Sequence, residues 1–274
     1  MNTKNKKRIG LIAGRGIYPI LFAESAKKAG IEHLAVIAMH DETSDELLEL
    51  ADSVDWIYVG QIGKAIKYLK KHGVNEAVMA GQIKPSRLFG GIRPDLKALK
   101  LLWSLEERNA ETIFSGIADE FEKAGIEILP STTFLDEYLA EEGVIGKKKP
   151  SKKQQQDIRY GFKIAKEVSA LDIGQTVVVN KGTVLAVEGF EGTDKTIERG
   201  GSLGDGKSVV VKVAKPNHDM RFDVPCIGTR TAKKIINSDI SVLAVEAGKT
   251  LFLEKEKVIN MLNDHKIVVF GVEK

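Results

Sequence analysis

The chain has 274 residues, 43% of them hydrophobic, enough for two domains of ordinary size with a substantial core. Its 41 basic and 38 acidic residues nearly balance, so bulk charge gives no reason to expect a nucleic-acid partner, and no apolar run approaches the ~20 residues of a membrane span. A single cysteine, Cys226, excludes an intramolecular disulfide, suits a reducing cytoplasm and is expected as a small buried core residue.

Taken in chain order, the first half alternates strand and helix. Arg8 to Ala13 reads as strand, and Pro19 to Ala29 as a helix with proline in its first turn, closed by Gly30. Leu34 to Met39 (strand), Glu46 to Ala51 (short helix), Trp56 to Val59 (strand), Lys64 to Lys71 (helix) and Ala77 to Ala80 (strand) follow. Helices at Leu96 to Glu107 and Thr112 to Ala124 precede a last strand, Ile126 to Leu129. Strands separated by helices imply right-handed crossovers, so residues 1–134 are expected to form a Rossmann-like parallel-sheet domain.

Gly, Pro and a run of lysines around Val144 to Lys153 carry a linker signature, assigned to residues 135–153. Beyond it, a helix from Gln154 to Ala170 leads into a hairpin, Thr176 to Val179 and Thr183 to Val187, with Gly182 in the left-handed position. A helix from Asp194, strand Ser208 to Ala214, helix Arg230 to Asn237, strands Val242 to Glu246 and Thr250 to Leu253, helix Lys255 to Asp264 and strand Ile267 to Val272 complete a mixed α/β domain, 154–274.

The chemistry concentrates after the hairpin. Glu188-Gly189-Phe190-Glu191-Gly192-Thr193-Asp194 packs three carboxylates into seven residues at a strand end. Two of them ~5 Å apart in a protein-like dielectric would repel by on the order of 3 kcal/mol, which a bound cation turns into attraction. A solvated turn in which Thr193 or Asp194 caps the next helix is the plainer alternative, and the loop by itself leaves both open. Lys215 follows another strand, and Asp223 precedes Val224-Pro225, a step that favours extended backbone. The five histidines are scattered and no His/Cys cluster exists, so a cation here is magnesium rather than zinc. In the first domain, Gly14-Arg15-Gly16 opens a helix after a strand, where backbone N–H groups cradle phosphate, and Gln82 and Lys84 leave a later strand at the same edge.

Several segments then carry a resemblance. Gly10-Leu11-Ile12-Ala13-Gly14-Arg15-Gly16, Ala80-Gly81-Gln82, Leu171-Asp172-Ile173-Gly174-Gln175, Leu185-Ala186-Val187-Glu188 with Glu191-Gly192-Thr193-Asp194, Lys215-Pro216 and Asp223-Val224-Pro225-Cys226-Ile227-Gly228 occur in the order seen in UDP-2,3-diacylglucosamine pyrophosphatases of the LpxI type. The chain resembles that family over nearly its whole length, with Arg15 standing where a glycine is expected. The resemblance implies magnesium-dependent cleavage of UDP-2,3-diacylglucosamine to UMP and 2,3-diacylglucosamine 1-phosphate in lipid A biosynthesis, and places the essential aspartate on Asp223.

On these grounds Asp223, Lys215 and Arg230 are expected to be catalytic, with Glu188, Glu191, Asp194 and Asp223 holding Mg2+ or, as a substitute, Mn2+. Gly14, Gly16, Gln82, Lys84 and Thr193 are expected to bind substrate. The expected setting is cytoplasmic, peripheral to inner-membrane lipid, with a homodimer left open. Two other classes compete. An NAD-type oxidoreductase would use the loop at Gly14 and the acid Asp41, and a non-catalytic UDP-sugar sensor would bind without turnover.

Overall fold

A computed structural model describes residues 7–83, 93–106, 110–216 and 219–273. The chain forms two compact units, Met1–Leu135 with the short segment Met220–Phe222, and Asp136–Asp219 with Asp223–Lys274.

The first unit is built on five parallel strands, β1 (Arg8–Ala13), β2 (His33–Met39), β3 (Ser53–Ile57), β4 (Glu76–Ala80) and β5 (Glu127–Leu129), in the order β3-β2-β1-β4-β5. That order follows from right-handed crossovers leaving β1 in both directions, and it places the loops after β1 and β4 side by side at the carboxyl edge. Alternation divides the strand residues between two faces. Ile12, Ile37, Ala77 and Met79 pack against Ile62, Ile66 and Leu69 of α2 (Ile62–Lys71), Ala98 of α3 (Leu96–Ser104), and Ala118 and Phe121 of α4 (Ala110–Lys123). Helix α1 (Tyr18–Lys28) buries Leu21 and Phe22, and Pro19 fits its first turn because the missing N–H has no partner there in any helix. The short helix expected over Glu46 to Ala51 is a 3-10 turn over Asp45–Leu50, and β3 begins at Ser53, three residues before the expected Trp56.

The second unit carries a six-stranded mixed sheet of order β6-β13-β11-β9-β7-β8. Its strands are β6 (Gly143–Val144), β7 (Thr176–Asn180), β8 (Thr183–Val187), β9 (Ser208–Lys212), β11 (Ile240–Glu246) and β13 (Val268–Val272); β10 (Cys226–Ile227) and β12 (Leu251–Phe252) form a separate parallel pair. On one face, Val177, Val179, Val209, Val211, Val242 and Ala244 pack with Ile158 and Ala165 of α5 (Lys152–Ala170). On the other, Val178, Ala186, Val210 and Leu243 meet Ile197 of α6 (Thr193–Leu203), Ala232 and Ile235 of α7 (Thr229–Asn237), and Val258 and Leu262 of α8 (Lys255–Asp264).

The hairpin turn carries positive φ at both central residues, Lys181 (51°) and Gly182 (74°), so the left-handed position is not Gly182's alone. Buried Asp157 of α5 holds the turn, accepting from the Lys181 N–H at 3.0 Å and the Gly182 N–H at 2.7 Å. Residues 135–153, expected as a linker, instead belong almost wholly to this unit. Val144 pairs with Phe270 on the sheet edge, and the Lys147 N–H donates to Asn263 Oδ1 at 2.8 Å. The lysines there mark an exposed edge rather than a tether.

One buried acid ties this sheet together. Glu246, 2% exposed at the end of β11, accepts from Lys166 Nζ at 3.0 Å and the Ala214 N–H at 2.9 Å, and pairs with Lys249 at 3.1 Å. Burial by itself would raise its pKa, but these donors outweigh burial and hold it below the usual value of 4.5. A depressed folded-state pKa contributes stability above the unfolded value and loses it as pH falls through the folded one. Glu246→Ala is therefore expected to cost ~1–3 kcal/mol at neutral pH, because it leaves the buried Ala214 N–H without its acceptor and the half-buried Lys166 with Ala214 O alone. In thermal melts the gap between wild type and variant should narrow below pH 4.5.

Candidate functional site

The predicted acids of the second unit begin where its sheet turns polar. Strand register aligns Ala186, Val178, Val210 and Leu243 in one apolar row across β8, β7, β9 and β11. Two residues further along the same face stands the row Glu188, Thr176, Lys212 and Val245, with the Glu188 N–H donating to Thr176 O at 2.8 Å. Glu188 is 8% exposed, Thr176 0% and Lys212 7%. A buried lysine and a buried glutamate at the carboxyl end of β8 and β9 are costly unless satisfied, so their hydrogen bonds define what the row can do.

Thr193 supplies the link. Lys212 Nζ donates to Thr193 Oγ1 at 3.2 Å, and the Thr193 hydroxyl donates its one proton to Glu188 Oε1 at 2.8 Å. Glu188 Oε2 and Thr176 Oγ1 are buried with no partner. The plainer reading of this loop, a helix cap by Thr193 or Asp194, does not hold. The N-cap of α6 is Gly192 at φ 80°, with no side-chain cap, and the Thr193 hydroxyl serves Glu188 instead.

The other predicted ligands are already neutralised. Glu191 accepts from Arg199 at 2.7 Å and from the Gly189 N–H at 3.2 Å, and the Arg199 guanidinium holds its carboxyl below the usual range. Asp194 Oδ2 lies 2.6 Å from Nε of Arg230 in α7, an ion pair without hydrogen-bond geometry that leaves the Arg230 side chain 85% exposed. Lys215 is paired with Asp172. Among the described residues no three His, Cys, Asp or Glu side chains gather in a metal-holding group, so the expected four-acid cage is not assembled in advance. Magnesium usually takes one or two carboxylates and completes its shell with water and substrate phosphate, and the unpartnered Glu188 Oε2 suits that smaller demand.

Asp223 N–H donates to Asp219 O at 3.2 Å, which turns the chain just before Pro225. Cys226 keeps part of its residue surface exposed, while its thiol is buried and donates to Val224 O at 3.2 Å. Burial pushes its thiol up to about 12, with Lys212 pulling it down and Asp223 pushing it up, so it is no nucleophile and both charges act on it.

The Leu171–Gln175 segment supports the row from behind. Asp172 adopts φ 56° and pairs with Lys215, while a Cβ on Gly174 would sit 2.2 Å from Glu188 O. Only glycine lets this turn lie directly on the Glu188 backbone.

In the first unit the two glycine loops are zipped together. The Gly14 N–H donates to Ala80 O at 2.8 Å and the Arg15 N–H to Gln82 O at 2.8 Å, and a Cβ on Gly14 would sit 2.6 Å from Gln82 O. Gly14 therefore serves close backbone packing, and its N–H is not available to a phosphate. Gly16, at φ 95°, has open space around it, and the Gln82 side chain is exposed at the carboxyl edge. Lys84 lies outside the described residues. Sequence reasoning missed Lys212, Asp172 and the role of Gly174. The available signal was a lysine inside the run Val209-Val210-Val211-Lys212-Val213, at a position whose row is otherwise buried.

Comparison with known proteins follows the same division. A model of the LpxI N-terminal domain matches residues 8–138, and one of the LpxI C-terminal domain matches residues 141–270. A protein from Caulobacter vibrioides named UDP-2,3-diacylglucosamine pyrophosphatase LpxI is 32% identical over 279 residues, covering 97% of this chain and 98% of that protein. Among solved structures, the biotin carboxylase domain of Hydrogenobacter thermophilus 2-oxoglutarate carboxylase gives a TM-score of 0.28 at 14% identity over 65% of this chain and 35% of its own. Rhizobium etli pyruvate carboxylase gives 0.29 at 14% identity over 50% and 14%. Scores this low bear on neither fold nor function.

Proposed function

The chain belongs to the LpxI family, and from that premise we propose that it hydrolyses the pyrophosphate bond of UDP-2,3-diacylglucosamine, releasing UMP and 2,3-diacylglucosamine 1-phosphate. The observation that carries the reading within the molecule is the Glu188 carboxylate, buried at a strand end with one oxygen fixed by Thr193 and the other unpartnered. An NAD-type oxidoreductase leaves that group unexplained, and release of UMP separates the hydrolase from a UDP-sugar sensor.

Hydrolysis of a pyrophosphate requires charge neutralisation on its oxygens, a prepared water and a stabilised leaving phosphate. Glu188 and Asp223 are the residues that would hold magnesium, which neutralises phosphate oxygens and acidifies bound water. Glu191 and Asp194, each paired with an arginine, shape the loop around them. Lys215, oriented by Asp172, supplies positive charge for the departing phosphate. Gly16 and Gln82 are the candidate substrate-binding residues of the first unit. No helix among the described residues is long and apolar enough to cross a membrane. Peripheral contact with lipid is proposed because the two acyl chains of the substrate need an apolar surface.

Incubating the pure protein with UDP-2,3-diacylglucosamine and magnesium should release UMP. EDTA should abolish the release, magnesium or manganese should restore it, and zinc should restore it poorly, as oxygen ligands dictate. Absence of UMP with the cation present would overturn the reaction, whereas full activity after thorough chelation would remove only the metal.

A further inference from the structure

Lys212 has no role in the reading above, yet it is the most deeply placed cation beside Glu188. A lysine is almost never this buried without a partner acid, and the hydrogen bond of Lys212 goes to a hydroxyl rather than to a carboxylate. The direction of that bond matters. Because Lys212 donates to Thr193 Oγ1, the hydroxyl cannot turn its proton toward Nζ and must point it at Glu188 Oε1. The sheet register reinforces this, since Lys212 and Glu188 flank Thr176 in one row and their side chains leave the same face.

We propose that Lys212 is a positioning residue for the reaction, acting through Thr193 to lock the Glu188 carboxylate in one orientation with Oε2 turned away from Thr193. The relay also compensates the buried negative charge without a direct ion pair, which would occupy the carboxylate. The inference rests on the proposed hydrolase function for its kinetic test, but not for its structural one.

The test is a double-mutant cycle with Lys212→Met and Glu188→Gln, using magnesium and UDP-2,3-diacylglucosamine. Each single variant should lose ~100-fold in kcat with KM changed by less than ~3-fold, and the double variant should be no more than ~3-fold worse than the poorer single, because residues acting as one unit are non-additive. Two residues contributing independently would give losses that multiply to ~10,000-fold, and a residue that only stabilises the sheet would leave kcat near normal. Thr193→Val, which keeps shape while deleting the relay, should reproduce the Lys212→Met loss and serves if that variant folds poorly. Crystal structures of both variants supply the second measurement, in which the Glu188 carboxylate should leave its wild-type rotamer. Multiplying losses, near-normal kcat in Lys212→Met and Thr193→Val, or an unmoved Glu188 would each overturn the proposal. If the wild type releases no UMP, the function fails while the Glu188 rotamer still decides the role of Lys212.

Discussion

Asp223→Asn is expected to lower kcat by at least ~100-fold, equivalent to about 2.7 kcal/mol of transition-state stabilisation, with little change in melting temperature. Asparagine keeps the size and rotamers of aspartate while removing the negative charge. The backbone that aims this side chain is set independently, by the hydrogen bond to Asp219 O and by the restriction that Pro225 places on Val224. Loss of charge therefore separates from loss of shape. If Asp223 helps to bind magnesium or to orient water, the defect appears in turnover and is relieved only partly by raising the metal concentration. Near-normal turnover in this variant would move the chemistry away from Asp223. Glu188→Gln should behave in the same way, since its Oε1 can still accept from Thr193 while the charge is gone.

Gly174→Ala is expected to cost ~100-fold in kcat although residue 174 carries no functional group, because a misplacement of ~1 Å at a reacting group is enough for such a loss. The added methyl would lie 2.2 Å from Glu188 O, 2.7 Å from its carbonyl carbon and 2.9 Å from its Cβ. The first two of these are backbone atoms, and no rotamer change relieves contacts with them. Either the Leu171–Gln175 turn lifts away, taking Asp172 from Lys215, or the end of β8 moves and carries Glu188 with it. Overpacking of this kind also destabilises by ~1–3 kcal/mol, so activity should be read well below the variant's melting transition. An alanine variant that retains wild-type kcat would overturn the claim that this packing holds the reacting groups in place.

The long elements were legible from the chain itself because their periodicity is a local property. The Val-rich runs of β7 and β9 and the apolar stripe of α2 declare a buried face whatever surrounds them, and the alternation of strand and helix in the first half leads directly to a parallel sheet. Two-residue strands such as β6 and β10 have no period to read, and residues 135–153 look like a linker because lysines and glycines are equally suited to a sheet edge. Membership of the LpxI family was likewise written in the motifs, since their order along the chain does not depend on how the chain is folded.

The functional site divides in the same way. The sequence alone determined that Glu188, Glu191 and Asp194 share one loop after a strand, and that Asp223 and Lys215 lie on later ones. Which of these acids stay available was decided by partners that spacing does not reveal. Arg199, eight residues from Glu191, and Arg230, thirty-six from Asp194, neutralise two of them, and Lys212 reaches the third through Thr193. Whether a carboxylate is held ready or satisfied depends on which charged groups the fold brings within ~4 Å of it, because in the interior a neighbour at that distance outweighs any preference of the residue itself.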